Sequence, residues 1–296
     1  MDYISVAETA KRWGLSERSV RNYCAHGRVA GAFLTGKTWN VPATATKPER
    51  SNRHSDEPNT LLDILKAEKA AKTSGGIYHK VQIDLTYNSN HIEGSRLTRD
   101  QTRYIYETNT IDAEGVAMNV DDILETANHF RCIDMIIDHA GDKLSERFIK
   151  QLHATLKSGT SDSRKDWFAV GEYKRLPNEV VGRETTAPED VTSEMAKLLN
   201  AYNQATEKSM EELIDFHYRF ENIHPFQDGN GRVGRLILFK ECLKNGIAPF
   251  IIDDDMKLYY YRGLHQWPGE KGYLTDTCLA AQDKFKKVLD YFRLGY

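Results

Sequence analysis

Along most of this chain apolar residues recur every three or four positions, and two short stretches replace that rhythm with a strand-like pattern. Ile77, Val81, Leu85 and Ile92 are in helical register, and Gly94 stands where a residue just past a helix end belongs. Thr98, with Gln101 three residues on, opens another capped helix. The stretches "VDDILETANHFRCIDMIIDHAG" and "LSERFIKQLHATLKSG" each carry an apolar stripe ended by glycine. Leu213, Phe216, Phe220 and Ile223 repeat the period within residues 211–223. "VGRLILFKECLKNG" is apolar nearly all round, which predicts a central buried helix closed by Gly246. The two exceptions are "AFLTGKTWNVP" near the N-terminus and "RLPNEVVGRETTAPEDV" in mid-chain. Both alternate or carry β-branched residues around a glycine, and both predict hairpins. The fold class expected is therefore mainly α: a helical core with a short β-hairpin, plus a small N-terminal unit.

That unit is expected to span residues 1–46. "SVAE" reads as a capping box from Ser5 to Glu8, opening a helix that Gly14 closes. Ser16 then caps "ERSVRNYCAHG", closed by Gly27. Two short helices joined through "GLS" make a helix-turn-helix, and the hairpin around Gly36 would be its wing. Arg18, Arg21 and Asn22 share one face of the second helix, and Lys37 lies on the wing. An arginine-and-amide face suits base edges in a major groove, with lysine against phosphate; the alternative is a solvated face in a protein-interaction module. Charge sharpens this picture. Residues 1–50 hold eight Lys/Arg against four Asp/Glu, whereas the whole chain carries −3. A basic head on an acidic body fits duplex DNA as a partner. The stretch resembles the excisionase-like and MerR-like winged helix-turn-helix domains. Beyond it the chain turns polar and aperiodic, so residues 47–60 are expected to be a linker and 61–296 the helical body.

Between the helix ending at Ile223 and the central buried helix lies "IHPFQDGNGRVGR", residues 223–235. Gly229, Asn230 and Gly231 let backbone N–H groups converge at a helix N-terminus, an anion site. Arg232 and Arg235, one turn apart, project from that first turn towards one ligand and suit phosphate oxygens. Asp228 would be repulsive beside phosphate unless a cation such as Mg²⁺ lies between them. His224 is the loop's only side chain able to take a proton near pH 7. Base, metal carboxylate and phosphate nest together describe phosphoryl or nucleotidyl transfer. "GNGRVG" formally matches a dinucleotide fingerprint, but the segment before it has helical period where that fingerprint needs a strand. His217, seven residues before His224, is expected to be a hydrogen-bonded core histidine and not a metal ligand.

"HPFQDGNGRVGR" resembles the Fic motif at every fixed position, and the resemblance extends over about residues 60–296. It implies a helical core, ATP as substrate with Mg²⁺, and transfer of AMP to a Ser, Thr or Tyr hydroxyl of a protein, itself included. By that resemblance His224 is the base, Phe226 anchors the loop and Asp228 holds Mg²⁺. Gly229, Asn230 and Gly231 form the anion hole, and Arg232 and Arg235 hold the outer phosphates. Tyr261, with Tyr260, borders the adenine pocket. The mid-chain hairpin, with Asn178, Glu179, Val180, Val181 and Gly182, corresponds to the family's flap, which docks a target segment by strand addition. "SNHIEG" (residues 89–94) is similar to the family's inhibitory pattern, with Ser89, Glu93 and Gly94 at the fixed positions of a helix near 77–93. The chain therefore resembles a self-inhibited protein adenylyltransferase. An ATP-sensing DNA-binding regulator without transferase activity, or removal of AMP or transfer of another phosphate-bearing group at the same site, stays open, as does homo-oligomerisation. Four dispersed cysteines without C-x-x-C spacing are expected to be reduced thiols. With no leader-like or 18-residue apolar stretch, a cytoplasmic location without membrane insertion is expected.

Overall fold

A computed structural model describes residues 2–25, 28–36, 38–48, 60–112, 115, 117–180 and 183–295. The chain divides into two units, Met1–Glu57 and Pro58–Tyr296. The first begins with strand β1 (Tyr3–Ser5), followed by helices α1 (Val6–Trp13) and α2 (Glu17–Ala25), then β2 (Phe33–Thr35) and β3 (Thr38–Pro42). The Ser5 hydroxyl accepts from the Glu8 N–H at 3.1 Å, and Gly14 closes α1 in the left-handed region at φ 64°. Only this half of the expected capping box is formed among the described residues. Ser5 also ends β1, opposite Asn40 of β3. The hairpin β2–β3 is thus one edge of a three-stranded sheet in the order β1-β3-β2. Val6, Ala10, Trp13, Val20, Cys24, Val29 and Val41 form this unit's own core. Gly27, Lys37, Val181 and Gly182, most of the expected linker, and the Asn22 side chain lie outside what is described.

The second unit is helical: α3 (Leu61–Ala71), α4 (Ile77–Ile92), α5 (Arg99–Thr108), α6 (Val120–Asp138), α7 (Glu146–Leu156), then α8 (Val191–Tyr202), α9 (Met210–Ile223), α10 (Asn230–Lys244), α11 (Lys257–Gln266) and α12 (Gly272–Tyr291). Between α7 and α8 stands the hairpin of β4 (Glu179–Val180) and β5 (Arg183–Glu184), paired antiparallel. Thr60, Thr98 and Ser209 each make reciprocal capping boxes, fixing where α3, α5 and α9 begin. Helix α10 is buried along nearly its whole length, as its all-round apolar sequence predicts. It packs against α9, α6, α7 and α4, so its N-terminus is held from several sides.

Helix α4 docks on α6 through a polar seam. Gln82 donates to Asp134 at 2.9 Å, Thr86 meets His129 Nδ1 at 2.9 Å and Asn90 donates to Thr126 at 3.1 Å. Directional bonds of this kind fix the register of one helix on another, which apolar packing alone does loosely. They place Ser89 and Glu93 at the α10 face. Among the described residues all four cysteines are buried free thiols, and no helix is long and apolar enough to cross a membrane.

Candidate active site

The loop from His224 to Gly229 joins α9 to α10, and local chemistry sets its shape. His224 caps α9 in the left-handed region, φ 52° and ψ 62°, a conformation that a histidine adopts only under constraint. Phe226 is fully buried and stacks on the His153 ring of α7 at 4.0 Å. The Gly171 N–H donates to His153 Nδ1 at 2.9 Å, so its Nε2 carries the proton and donates to the Asp228 carbonyl at 3.1 Å. Burial pushes this imidazole down to about 3, and it stays neutral. Asn230 ties the turn from within: its Oδ1 accepts from the Phe226 N–H at 2.8 Å and its Nδ2 donates to the Phe226 carbonyl at 2.8 Å. The Asn230 side chain thus holds the loop, and only its backbone and those of Gly229 and Gly231 remain for an anion. Gly229 precedes α10 at φ 80°, which favours glycine.

Gly231 leaves room for two side chains that a larger residue would have to displace. A Cβ there would lie 2.2 Å from Glu93 Oε1 and 2.9 Å from an Arg235 nitrogen. These two side chains meet directly over the first turn of α10. Arg235 Nη2 donates to Glu93 Oε1 at 2.7 Å and to the Ser89 carbonyl at 2.9 Å, while its Nε donates to the Ser89 hydroxyl at 3.0 Å. Burial opposes the charge on this guanidinium, yet Glu93 more than compensates and holds its pKa above the ordinary value. Nearby Glu221 is a buried carboxyl pushed up to about 8 by desolvation, although Arg235 works the other way. Tyr261 is also close: burial and the Glu93 charge push its phenol up to about 12. His217 donates or accepts at Tyr260 Oη over 2.6 Å inside the core, consistent with a core histidine.

Arg232 and Asp228 belong to a second ionic cluster. Lys157, at the end of α7, donates to Asp228 Oδ2 at 2.7 Å and Glu125 Oε1 at 2.5 Å, and pairs with Asp162 at 2.8 Å. Arg232 donates to Glu125 of α6 and pairs with Asp228 Oδ2 at 3.3 Å. Burial resists ionisation of Asp228, but Arg232 and Lys157 prevail and hold it well below the usual carboxylate range. Both cations reach the same oxygen, Oδ2, of a half-exposed carboxylate. No cluster of three or more acidic, His or Cys ligands occurs among the described residues. A hard cation would therefore hold here by one carboxylate and by phosphate oxygens it arrives with, the usual manner of Mg²⁺.

His224 is half-buried, and its buried Nδ1 makes no hydrogen bond of normal geometry. Desolvation first, then the Lys174 charge, push the ring down to about 4 against the opposing pull of the Glu221 carbonyl, Glu93 and Asp228. It is a neutral imidazole at pH 7. On the hairpin side Asn178 turns inward, its Nδ2 donating to the Phe226 carbonyl at 3.0 Å, and the exposed Glu179 and the half-buried Val180 continue as β4. Sequence reasoning brings together His224, Phe226, Asp228, the glycines, both arginines, Ser89, Glu93 and Tyr261, and the structure places these near one another. It misses Glu125, His153, Lys157, Asp162 and Lys174. In the first unit Arg18, Ser19, Arg21, Ala25 and Trp39 line an open cleft of about 450 Å³, and Arg21 pairs with Glu17 at 2.7 Å.

Residues 143–241 match the model of the Fic/DOC family, a narrower stretch than the 60–296 of the resemblance. The chain is 26% identical over 217 residues to a protein adenylyltransferase Fic of Aedes aegypti, spanning 72% of this chain and 41% of that protein. It is 28% identical over 187 residues to a protein adenylyltransferase Fic of Nematostella vectensis, 61% of this chain and 42% of that one. The chain thus spans less than half the length of these curated relatives. Among solved structures, a Fic-domain-containing signalling protein of Bacteroides thetaiotaomicron aligns with TM-score 0.58 and 28% identity over 78% of this chain and 90% of its own. A Fic family protein of Desulfovibrio desulfuricans shares the fold, with TM-score 0.61 and 20% identity over 82% and 79% of the two chains. Residues 143–241 therefore carry a Fic domain within a mainly helical body, and the chain's homologues include Fic-family protein adenylyltransferases.

Proposed function

We propose that this chain is a nucleotidyltransferase that moves AMP from ATP to a hydroxyl of a protein. The observation that carries the reading is the convergence, at the first turn of α10, of a neutral imidazole and two buried arginines upon glycine backbone. Relatives named as adenylyltransferases support the same reading. In this mechanism His224 accepts the proton of the target hydroxyl, whose oxygen attacks the α-phosphorus while the bond to the departing pyrophosphate breaks. The N–H groups of the α10 N-terminus and its dipole favour the phosphate charge. Arg232 and Arg235 bind the outer phosphates bidentately. Asp228 is the residue that would hold Mg²⁺, which supplies neutralisation of phosphate charge when bound. The β4–β5 hairpin would align an extended target segment beside His224.

Glu93 regulates in this proposal. It occupies the guanidinium that an outer phosphate needs, so the enzyme is self-inhibited until Glu93 withdraws. The first unit, with Arg18 and Arg21 beside a three-stranded sheet, is read as a winged helix-turn-helix that binds duplex DNA. The deciding experiment is parallel incubation with α-labelled and γ-labelled ATP, followed by intact-mass measurement. Retention of label from the α-position alone supports AMP transfer. Retention from the γ-position, or from neither while ATP binds, refutes it and leaves another transfer or a sensing role.

A further inference from the structure

A buried lysine beside the candidate base has no acidic partner among the described residues. Lys174 lies between α7 and β4, its residue is 3% exposed, and burial alone pulls its ammonium down to about 8. Such an ammonium is strongly disfavoured unless hydrogen bonds replace its water. It finds three acceptors. Nζ donates to Asn178 Oδ1 at 2.7 Å, to Thr185 Oγ1 at 2.6 Å and to the Ile223 carbonyl at 3.4 Å. Its backbone N–H donates to the Pro225 carbonyl at 2.8 Å.

These acceptors define a strut. Asn178 and Thr185 flank the β4–β5 hairpin, and Ile223 and Pro225 flank His224. One residue therefore grips the carbonyls on both sides of a histidine held in the left-handed region, while its ammonium closes the base of the hairpin. We propose that Lys174 is a positioning residue: it couples the hairpin to the candidate catalytic loop and fixes the backbone on either side of His224. The inference rests on the AMP-transfer reading for its consequence, but its geometry stands apart from it. A methyl or methylene end in place of the ammonium would leave Asn178 Oδ1 and the Ile223 carbonyl without this donor. The hairpin and the loop would then be tied more loosely, through the Asn178 bond to the Phe226 carbonyl and the Lys174 backbone bond to Pro225. Electrostatics act in the same direction, because the Lys174 charge disfavours a proton on His224. The other groups acting on that ring are the Glu221 carbonyl, Glu93 and Asp228, all of which favour the proton.

The test compares the full chain with Lys174→Met and Lys174→Arg by three measurements. The His224 ring is titrated by NMR, hydrogen exchange is followed at the Thr185 amide, and incorporation of label from α-labelled ATP is timed. The proposal expects Lys174→Met to raise the His224 pKa from about 4 towards the ordinary imidazole value and to speed exchange at Thr185. Lys174→Arg should restore both in large part. Incorporation should fall at least tenfold in Lys174→Met and recover partly in Lys174→Arg. An unchanged His224 titration and unchanged Thr185 exchange in a folded Lys174→Met protein overturn the proposal. So does an arginine variant no better than methionine. If the titration and exchange respond as stated while no variant, nor the parent, incorporates label, the strut stands and the AMP-transfer reading fails.

Discussion

Replacing Glu93 by glycine removes one of the three contacts that hold Arg235. The two bonds to Ser89 remain, at 3.0 and 2.9 Å, so the guanidinium stays positioned and is not left without a partner. The backbone at Glu93 is at φ −86° and ψ 5°, which needs no special residue, and Glu93 caps α4 just past its last residue, where a glycine weakens the helix little. What is lost is a charge-assisted bond of 2.7 Å between a buried arginine and a carboxylate that is 28% exposed. Such a bond contributes about 1.5–3 kcal/mol, which corresponds to roughly tenfold to a hundredfold in rate. In the proposed mechanism that free energy divides between two readouts. Competition with the outer phosphate appears as tighter ATP binding, and misalignment of the α-phosphate appears as a faster rate at saturation. The assay is initial incorporation of α-label over a range of ATP at saturating Mg²⁺, with a thermal melt to show that folding is unchanged. Glu93→Gln, which keeps the shape and loses the charge, should fall between parent and glycine. Equal rates for parent and Glu93→Gly at every ATP concentration would refute the switch. A fast variant that keeps its rate when Arg235 is also removed would refute the residue assigned to it.

Four further outcomes are expected. His224→Ala should lower incorporation by about 10²–10⁴-fold while ATP affinity, read by calorimetry, barely changes, because the base acts in the chemical step; retention of more than a tenth of parental rate would remove it from that role. Because burial depresses the His224 pKa to about 4, the acid limb of the rate profile should lie near pH 4 and not near 6.5. Stability should follow the same sign: His129, His153 and His217, each pushed down to about 3 by burial, bind protons more readily when unfolded, so stability falls as pH drops below about 6.5, each group adding a slope of about 1.4 kcal/mol per pH unit. A melting temperature flat from pH 6.5 to 4.5 would contradict this. Arg21→Ala in the full chain should weaken duplex DNA binding by about 1–3 kcal/mol if Arg21 reads a base edge, since its exposed pair with Glu17 restrains it only weakly; absence of salt-dependent DNA binding by the parent would favour a protein-docking role for this unit.

Local patterns carried much of this structure, and distant ones did not. Helix α10 is legible because no polar face interrupts it, and α4 because its glycine stop follows a regular stripe. Strand β1 is three residues long, too short to alternate visibly, and its partner Val41 is supplied from the far side of two helices. Helix α3 hides behind the polar stretch before it, although Thr60 and Asp63 form a capping box and Leu61 and Leu65 are its buried stripe. The loop from His224 to Arg235 is contiguous, so residue types alone outline it. The groups that neutralise it come from 71 and 107 positions away, where spacing says nothing about proximity. A weaker signal exists in each case. Glu125, His153 and Lys157 are polar residues on or beside apolar stripes of α6 and α7, and a polar residue at such a position needs a partner inside the fold.

The two ionic clusters explain why a switch would be sited at Glu93 and not at the other carboxylates. Arg232, Arg235 and Lys157 are each matched by a protein carboxylate, so an incoming polyphosphate competes with acidic side chains. Glu125 sits within α6 with its side chain 12% exposed and serves Lys157 and Arg232 together. Its withdrawal would break pairs with two buried cations at once, each broken buried pair costing about 3–5 kcal/mol. Asp228 is half-exposed, but Lys157 accompanies it, so movement there would disturb three carboxylates at once. Glu93 differs in each respect. It ends its helix, a left-handed glycine follows it at φ 97°, and it serves a single arginine that Ser89 continues to hold. Its withdrawal therefore breaks one contact and leaves the guanidinium hydrogen-bonded to Ser89, while the polar seam of Gln82, Thr86 and Asn90 keeps the rest of α4 in register. Control placed at a helix end can be released without unfolding the helix that carries it.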